Sequence, residues 1–509
     1  MEFEKELVGK ILDPIHGIIR LSALEICFID HPLFQRLRNI KQNTFLYKVF
    51  PSAMHSRFEH SLGVMHLSYE ILKNLNLNSY RYKNKYSDGS VFDDIENLPL
   101  TNIQELRLAA LLHDIGHGPM SHQFDSFMCK KEELAEHIGN DFPEIFNMIQ
   151  DKSTIEHEHM SAIFIKIIYN SLDEMSRQKI NIDNVINIIE SQYKNRKIVI
   201  NVNDLEIDIL PLFTSIISSC PIDADRMDYL LRDSYFSGVK CGIYDYNRLF
   251  MSIVPAINNG RIFLAYKESG IESIVEFINS RSSLFGQVYY HKTNRAFSAM
   301  LGNVCELSRD RKPEDPLSLF TLSEPDAAIP ESKLKQLEDF YITNSDDYFL
   351  NEQLPIFVDD SNYSEQGETI LNDLINRIPW SKKYESKIYP RNLKATDPID
   401  KKFIVSLKNE LFELISPHIP KYMFAIDIMT DNAFKDIEKT EIKLLRKNLS
   451  GGYDINTLSE SGDKLDKYQS IKYLIRLFVS DAYKDNVGNN LIELIENKKN
   501  ELVGVHFNL

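Results

Sequence analysis

Histidine and aspartate residues cluster in the first third of the chain. Nine of the fourteen histidines lie within residues 55–159, and the densest stretch, residues 111–122, places His113, Asp114 and His117 within five positions. Imidazole nitrogens and carboxylate oxygens are common protein ligands of Zn²⁺, Mn²⁺ and Fe²⁺. A single buried histidine is more often a core residue. Several such groups in an apolar setting are costly without a metal or hydrogen-bond partners, so the cluster predicts a metal site.

Three predicted helices position these groups. An apolar run over residues 106–112 predicts a buried helix that delivers His113 and Asp114 at its end. A second helix begins after Ser56, which can form a capping box with Glu59, and carries His60 in its first turn. The third helix carries residues at four-residue spacing, which share one face: Asp225, Tyr229 and Asp233. Two imidazoles and two carboxylates could therefore form one shell around an ion.

The composition limits the class of protein. At 509 residues with 43% hydrophobic content, the chain is long enough for a sizeable core and more than one domain. No apolar run reaches the length of a membrane span and the first residues do not resemble a signal peptide, so we expect a cytoplasmic protein without membrane contact. A net charge of -16 argues against broad binding to a nucleic-acid backbone. The five cysteines have no paired spacing, which argues against a disulfide framework or a zinc ribbon.

The predicted fold class is mainly α, with a smaller α+β region at the C-terminal end. Helical patterns dominate residues 1–310, which we expect to form the helical catalytic domain. A helical connecting region is expected over residues 311–420. Residues 421–509 contain two short β-favouring stretches, 422–428 and 473–479, and are predicted to form a small α+β region.

Six motifs occur in an order that resembles a known family. They are DPIHG at 13–17, FQRLR at 34–38, RFEHSLG at 57–63, HDIGHGP at 113–119, HE at 157–158 and DADRMDY at 223–229. This order is that of the HD-superfamily deoxynucleoside triphosphate triphosphohydrolases. The chain closely resembles the family of dNTPases that combine a sterile alpha motif with an HD domain, and their bacterial relatives, although we expect no N-terminal sterile-alpha-motif domain here. The resemblance is strong over residues 10–295 and weak but in order beyond them.

The resemblance implies roles for individual residues and a helical HD-domain phosphohydrolase core. It implies that the metal ligands are His60, His113, Asp114 and Asp225. It implies a catalytic group around the reacting phosphate, made of His117, His122, Asp125, His157 and Glu158. It implies phosphate and sugar contacts at Gln42, Arg57, Arg226, Tyr229, Asp233, Arg281 and Tyr289. The chain departs from the family after Gln42, where Asn43 begins a run that replaces a Leu-Gly-Gly-like sequence, and at Arg226, which replaces a lysine.

The resemblance also implies regulation and partners. Asp30, Gln35 and Arg38 match positions that hold the guanine base of an activating nucleotide, dGTP or GTP, between subunits. A carboxylate can accept from guanine N1 and N2, and arginine can donate to O6 and N7. The expected assembly is a homo-oligomer, with a tetramer favoured. The expected substrate is a dNTP whose phosphates carry Mg²⁺.

The chemistry implied is hydrolysis at the α-phosphorus, with release of a deoxynucleoside and intact triphosphate. A divalent ion polarises a phosphoryl oxygen and lowers the pKa of water. The mixed nitrogen and oxygen ligands leave Fe, Mn, Zn and Mg open. His122, oriented by Asp125, would protonate the leaving 5′ oxygen, because the pKa of histidine lies near neutral pH.

Two other functions fit part of the pattern. One is another HD nucleotide phosphohydrolase, such as a monophosphatase or an alarmone or cyclic-dinucleotide hydrolase. The Glu-Asp pair typical of alarmone hydrolases after the dyad is absent, as is a Gly-Tyr-Pro motif. The other is a non-catalytic nucleotide sensor built on the same fold. Retention of all four metal ligands and of His122 argues against the sensor.

Overall fold

The chain folds around packed helices, with sheets at its periphery. The computed structural model describes residues 1–149, 154–190, 193, 197–202, 204–218, 221–309, 332–359, 361–390, 401–431, 442–458 and 472–507. The predicted fold class is confirmed: the protein is mainly α, with a smaller sheet-containing region at its C-terminal end. Among the described residues, no helix combines the length and the apolar character that crossing a membrane requires.

The α-helices are numbered in chain order. They are α1 (Ala23–Ile29), α2 (Pro32–Gln35), α3 (Arg57–Tyr82), α4 (Leu100–Leu112), α5 (Lys131–Ile138), α6 (Pro143–Met148), α7 (His157–Ser171), α8 (Glu174–Arg177), α9 (Ile182–Ile189), α10 (Leu210–Ile217), α11 (Ala224–Ser237), α12 (Tyr246–Phe250), α13 (Ile271–Leu284), α14 (Lys292–Arg309), α15 (Lys333–Thr343), α16 (Asp346–Tyr348), α17 (Leu354–Asp359), α18 (Ser364–Ile375), α19 (Lys401–Ile415) and α20 (Asn489–Phe507). Short 3₁₀ helices occupy Glu2–Glu6, Arg36–Asn39, Leu46–Lys48, Ile95–Asn97, Ser121–Phe127, Glu268–Gly270 and Asp481–Asn486, and π-helical turns occupy Phe285–Tyr289 and Phe349–Gln353.

The strands form three sheets within the described residues. They are β1 (Leu7–Asp13), β2 (Gly17–Ser22), β3 (Val199–Val202), β4 (Leu205–Asp208), β5 (Ile253–Asn258), β6 (Arg261–Lys267), β7 (Ser381–Ile388), β8 (Phe424–Asp431), β9 (Lys443–Lys447), β10 (Tyr453–Thr457) and β11 (Lys472–Val479). β1 and β2 form an antiparallel hairpin. The second sheet has the order β10-β9-β6-β4-β3 with β5 also paired to β6, and the third has the order β7-β11-β8.

Helices α3, α4 and α11 pack together and carry the predicted metal ligands. α4 is buried on all sides from Asn102 to Leu112, as expected for a helix inside the core. α3 begins with the predicted capping box, in which the Glu59 carboxylate accepts from the backbone N–H of Ser56. α11 begins at its N-cap Asp223, which accepts from the backbone N–H of Arg226 at 2.8 Å. These caps fix where each helix begins, and therefore where its first turn points.

The C-terminal region contains the two predicted strands but is not separate from the helical part. The β-favouring stretches 422–428 and 473–479 lie in β8 and β11. β9 extends the second sheet by pairing in parallel with β6, and β7, which lies in the expected helical connection, pairs with β11. Residues 310–331, which include the first part of the expected connecting region 311–420, lie outside the described residues. The three-part division of the chain stays a prediction.

Candidate metal centre and pocket

The four predicted metal ligands lie together at the ends of three helices. His60 is in the first turn of α3, His113 and Asp114 follow the last residue of α4, and Asp225 is in the first turn of α11. Ligand atoms of His60, His113 and Asp225 lie within 4.8 Å of one another. Asp114 completes the group, because its carboxylate oxygens lie 3.7 Å from His60 Nε2 and 3.4 Å from His113 Nε2. The fold therefore brings the four residues predicted from the sequence to one point.

In their neutral form, with Nδ1 protonated, both histidines present a lone pair to this point. His113 Nδ1 lies 2.8 Å from the carbonyl oxygen of Ala110 and must donate to it, which leaves Nε2 as an acceptor. His60 Nδ1 lies 2.7 Å from Asp228, which likewise directs its Nε2 to the site. Both Nε2 atoms are buried without a well-formed hydrogen bond. Buried acceptors of this kind, facing carboxylates, fit a divalent cation.

The local charge also favours a cation. Burial alone would lower the pKa of His60, but hydrogen bonds to Asp225 and Asp228 and the charge of Asp114 raise it to about 10. Burial raises the pKa of Asp114, yet the charges of His113 and Arg57 hold it well below its usual range. The site thus stabilises positive charge at its centre, and a bound divalent ion would replace the proton on His60.

A buried network orients His60 from behind. Asp228 accepts from His60, from His16 Nε2 at 2.6 Å and from Arg232 Nε at 2.8 Å. Arg232 in turn donates to Asp13 at 2.9 Å. Burial raises the pKa of Asp228, but Arg232 and the two histidines hold it well below its usual range, so it stays ionised. The DPIHG motif therefore contributes to the metal centre through Asp13 and His16.

Two glycines permit close approaches around this network. A Cβ on Gly63 would lie 1.9 Å from Oδ1 of Asp228. A Cβ on Gly116 would lie 2.0 Å from the carbonyl oxygen of His157, in the backbone of α7. Only a residue without a side chain fits between these elements. The glycines in the RFEHSLG and HDIGHGP motifs therefore serve the packing around the metal ligands.

A pocket of about 370 Å³ opens beside the metal ligands. Its wall contains most of the predicted site residues: Gln42, Arg57, His113, Asp114, His122, His157, Glu158, Asp225, Arg226 and Tyr229. Four polar atoms of its lining residues are buried without a hydrogen-bond partner among the described residues: Gln42 Oε1, Arg57 Nη2, His113 Nε2 and Glu158 Oε2. Arg57 donates through Nη1 to Asp114 and through Nε to Ser121 Oγ at 2.9 Å. One donor of Arg57 and one acceptor of Gln42 are thus available to a ligand.

Three further histidines form a second group next to the pocket. The rings of His117 and His157 stack at 3.7 Å, and His122 packs edge-on to His117 at 4.5 Å. Burial and the neighbouring charge of Arg57 lower the pKa of His117 well below its usual range, so its imidazole is neutral. Both nitrogens of His117 are buried without a partner. The side chain of His122 is 67% exposed, so it stands at the solvent side of the pocket.

Asp125 lies closer to His157 than to His122. Its Oδ2 is 3.1 Å from His157 Nδ1, a hydrogen bond, and 3.7 Å from His122 Nδ1. Burial raises the pKa of Asp125, but hydrogen bonds from these histidines lower it to about 2. Burial lowers the pKa of His157, but the hydrogen bond that it donates to Asp125, together with the charge of Glu158, raises this pKa above its ordinary value. The sequence prediction paired Asp125 with His122, and the geometry adds His157 as the nearer imidazole.

The other predicted substrate contacts lie behind the pocket wall. Asp233 accepts from Asn43 Nδ2 at 2.9 Å and from the hydroxyl of Tyr289, and lies 2.6 Å from His55 Nε2. Arg281 Nε donates to the hydroxyl of Tyr229 at 3.2 Å, which links it to a residue of the wall. Arg281 is therefore joined to the pocket wall by a hydrogen bond, whereas these hydrogen bonds of Asp233 and Tyr289 are with residues that do not line the pocket.

The predicted activator residues lie on one exposed patch. Gln35 Nε2 donates to the carbonyl oxygen of Ile29, next to Asp30, at 2.8 Å. Arg38 Nε donates to Gln35 Oε1 at 2.8 Å, and its guanidinium lies 3.5 Å from the ring centroid of Phe58. Asp30 and Arg38 are exposed. The fold thus brings the three side chains into one neighbourhood on the surface.

Several residues of the site have roles that were not predicted from the sequence. The supporting residues Asp13, His16, Asp228 and Arg232 were noted only as parts of motifs or of a helix. The spacing of Asp225, Asp228 and Arg232 on α11 could have indicated the pair behind the metal, because residues three and four apart are neighbours on a helix. Asp346, which holds two loops of the pocket, had no local pattern that could have indicated it.

Comparison with known proteins gives consistent matches to one family. The HD domain family matches residues 57–233. The uncharacterized protein YwfO of Bacillus subtilis is 30% identical over 370 residues, which cover 72% of this chain and 69% of the relative. The deoxynucleoside triphosphate triphosphohydrolase SAMHD1 of Homo sapiens is 30% identical over 310 residues, which cover 57% of this chain and 43% of the relative.

Two other matches extend the comparison. An uncharacterized protein of Methanocaldococcus jannaschii is 32% identical over 291 residues, 57% of this chain and 48% of the relative. The matched region spans about half the length of this relative and of SAMHD1. The crystal structure of a phosphohydrolase from Bacteroides thetaiotaomicron covers 93% of this chain and 99% of its own, with a TM-score of 0.54 and 23% identity. That structure shares the fold.

Proposed function

The chain belongs to the HD-domain family, and we propose that within this family it is a metal-dependent dNTP triphosphohydrolase, which releases a deoxynucleoside and inorganic triphosphate. One observation carries this proposal. His60, His113, Asp114 and Asp225 converge beside a pocket that offers an unpartnered arginine donor, an unpartnered amide oxygen and three histidines. Such a pocket suits a phosphate ester better than a neutral ligand.

The residues of the chain can bind and orient the phosphates. Held by His60, His113, Asp114 and Asp225, a divalent ion would polarise a phosphoryl oxygen and lower the pKa of a water molecule. Arg57 is fixed by Asp114 and Ser121 and retains Nη2 for a phosphate oxygen. Neutral His117 can donate to another phosphate oxygen without adding a second positive charge beside Arg57.

The leaving group requires a proton. Water attacks the α-phosphorus, the bond from this phosphorus to the 5′ oxygen breaks, and the 5′ oxygen takes a proton from an imidazole. We assign this step to His122, which stands at the open side of the pocket and has Asp125 at 3.7 Å. His157, with its raised pKa, is the second candidate, and Glu158 lies 3.3 Å from its Nε2.

The sugar and base would be selected on the other side of the pocket. Gln42 Oε1 and the ring of Tyr229 lie on the wall, and the Asp233 network stands behind them. Asn43 takes part in this network, so the departure from the Leu-Gly-Gly-like run places an amide next to the proposed sugar site. Arg226 is tied to Asp223 and lies on the pocket wall, where it adds positive charge for the phosphate chain.

The test of the proposed activity is product analysis. The purified protein is incubated with dATP, dGTP, ATP or dAMP in the presence of Mn²⁺ and Mg²⁺, and the products are separated by ion-exchange chromatography. Deoxynucleoside and triphosphate in equal amounts are expected from the dNTPs. Pyrophosphate with a monophosphate, single phosphate release, or turnover of dAMP alone would each contradict the proposal and favour another phosphohydrolase.

We further propose that a guanine nucleotide at Asp30, Gln35 and Arg38 promotes an active homo-oligomer, with a tetramer favoured. The exposed Asp30 can accept from guanine N1 and N2, while Arg38 keeps its Nη donors for O6 and N7. The nucleotide must bind the assembled state better than the dissociated one. A hundredfold activation corresponds to about 2.7 kcal/mol of differential binding.

This regulation predicts a specific effect of Asp30→Ala. In the native protein, dGTP or GTP should raise dATP hydrolysis and increase the sedimentation coefficient. Asp30→Ala should lose both responses, because the acceptor for guanine is gone. Asp141→Ala, which removes an exposed carboxylate in the turn before α6, should respond as the native protein does. Full activity with dATP alone, unchanged by guanine nucleotides, would contradict the regulatory proposal.

A further inference from the structure

A buried carboxylate from α16 binds two loops at the pocket. Asp346 is 2% exposed. Its Oδ2 accepts from the backbone N–H of Lys41 at 2.8 Å, and its Oδ1 accepts from the backbone N–H of Met120 at 2.7 Å. Asp346 is 305 residues from Lys41 and 226 residues from Met120 along the chain. One side chain thus joins two loops that are remote from it in sequence.

Each loop carries a residue of the proposed site. Gln42 follows Lys41 directly and presents its unpartnered Oε1 to the pocket. His122 follows Met120 by two residues. Met120 and Ser121 have left-handed backbones, with φ of 64° and 53°. Non-glycine residues keep such a conformation only where their surroundings impose it. The hydrogen bond from Met120 to Asp346 is part of that constraint.

Other bonds tie the same two loops to each other. Ser121 Oγ donates to the carbonyl oxygen of Lys41 at 2.6 Å, and Thr44 Oγ1 donates to the carbonyl oxygen of Met120 at 2.8 Å. Arg57, which also holds Asp114, donates to Ser121 Oγ. The loops therefore move together, and Asp346 fixes the pair to α16.

The position of Asp346 is itself set by aromatic packing. Phe349 lies 5.4 Å from Phe124 and 5.5 Å from Phe127, both in the 3₁₀ helix Ser121–Phe127. Tyr341, at the end of α15, packs on Phe124 at 6.0 Å. The segment that carries Asp346 is thus seated against the element that carries His122, and this packing fixes where the carboxylate stands relative to the two backbone amides.

The charges around Asp346 are few. Lys41 Nζ lies 3.9 Å from its Oδ2, and Asp347 lies 3.3 Å from the same Nζ. Burial raises the pKa of Asp346 to about 6, although the two amides and Lys41 act in the opposite direction. Burial therefore destabilises the charged form of Asp346. The two hydrogen bonds that its carboxylate accepts from backbone amides explain why a carboxylate is present at this position.

We propose that Asp346 is a positioning residue, which holds Gln42 and His122 at the pocket by accepting from the amides of Lys41 and Met120. The inference rests on the proposed function, because it acts through the assigned roles of Gln42 and His122. It predicts that the geometry of the catalytic loops depends on a segment outside residues 57–233, which the HD domain family matches.

The first test uses Asp346→Asn. Asparagine has nearly the same volume, but its NH₂ group cannot accept from the second amide. We expect kcat to fall about 10- to 100-fold with little change in KM, because a small displacement of a catalytic group costs rate more than binding. In a His122→Ala background the same substitution should cause a clearly smaller loss of kcat, because only the part that acts through Gln42 remains. The matched control is Asp347→Asn, a 77% exposed neighbour that should keep native kcat.

The second test needs no substrate. Hydrogen exchange followed by mass spectrometry should show faster exchange in peptides containing the amides of Lys41 and Met120 in Asp346→Asn than in Asp347→Asn. If the native protein hydrolyses no dNTP, the proposed function fails while the exchange experiment still decides the role of Asp346. Unchanged exchange would overturn the inference, as would a kcat loss of the same size with and without His122.

A third variant covers the case in which Asp346→Asn does not fold. Thr44→Val removes the hydrogen bond from Thr44 Oγ1 to the carbonyl oxygen of Met120, with little change in side-chain shape. It should lower kcat by a smaller factor than Asp346→Asn, and its effect should also be smaller in the His122→Ala background. Native kcat in Thr44→Val, together with native exchange of the peptide that contains Met120, would overturn the inference.

Discussion

Asp225→Ala should yield a folded protein that no longer retains a divalent ion and has lost nearly all hydrolysis. The described contacts of the Asp225 carboxylate are mainly with His60, at 3.1 Å, and His113, at 3.9 Å, so its removal disturbs little else. Lewis-acid activation is worth several kcal/mol, and each 1.36 kcal/mol is tenfold in rate, so a loss of about 10³-fold or more is expected. Elemental analysis of the purified proteins measures the metal content.

Two further variants test the same assignment of the metal ligands. Asp228→Asn leaves all four ligands in place but weakens the support of His60, together with the contacts of Asp228 with His16 and Arg232, so its metal affinity or activity should fall by about 10- to 100-fold. Asp114→Ala is a less clean variant, because it also leaves Arg57 buried without its carboxylate. Equal metal content in the native protein and in Asp225→Ala would contradict the assignment of the centre.

The metal ligands could be predicted from the sequence because their signals are local. An apolar run ending in His113 and Asp114 predicts a helix that delivers both, and the capping box at Ser56 predicts where His60 sits in its helix. The convergence of the three helices was predicted only from the resemblance to a family, because the residue spacing within one helix does not show which other helices pack against it. The structure confirms the fold class and brings the residues together.

The supporting contacts could not be derived in the same way. Asp13 and Asp228 both accept hydrogen bonds from Arg232, although Asp13 is more than 200 residues away from the other two along the chain. Asp346 reaches its two amides across comparable distances and lies outside the motifs. Such contacts depend on tertiary packing, which leaves no periodic pattern in the chain. The strands β3 to β6 escaped the sequence analysis because they are short and irregularly spaced.

His122→Ala should retain metal, fold and melting temperature but lose about 10² to 10⁴ in kcat, the usual contribution of a general acid. Its side chain is largely exposed, so little packing is lost. His157→Ala should instead lower the melting temperature, because His157 is stacked on buried His117 and hydrogen-bonded to Asp125. If His122→Ala turned over dNTPs at the native rate with metal bound, the acid would have to be His157 or His117.

The pH dependence of kcat distinguishes the two imidazoles. A general acid must be protonated, so the rate falls as pH rises through its pKa in the enzyme–substrate complex. The hydrogen bond that His157 donates to the Asp125 carboxylate helps to raise the pKa of His157 above its ordinary value, and Asp125→Asn removes the negative charge of that carboxylate. If His157 is the acid, Asp125→Asn moves the basic limb of the profile to lower pH. If His122 is the acid, Asp125→Asn removes an orienting carboxylate 3.7 Å from its Nδ1, and kcat at its maximum falls. An unchanged profile and an unchanged maximum in Asp125→Asn would remove Asp125 from the proton-transfer step altogether.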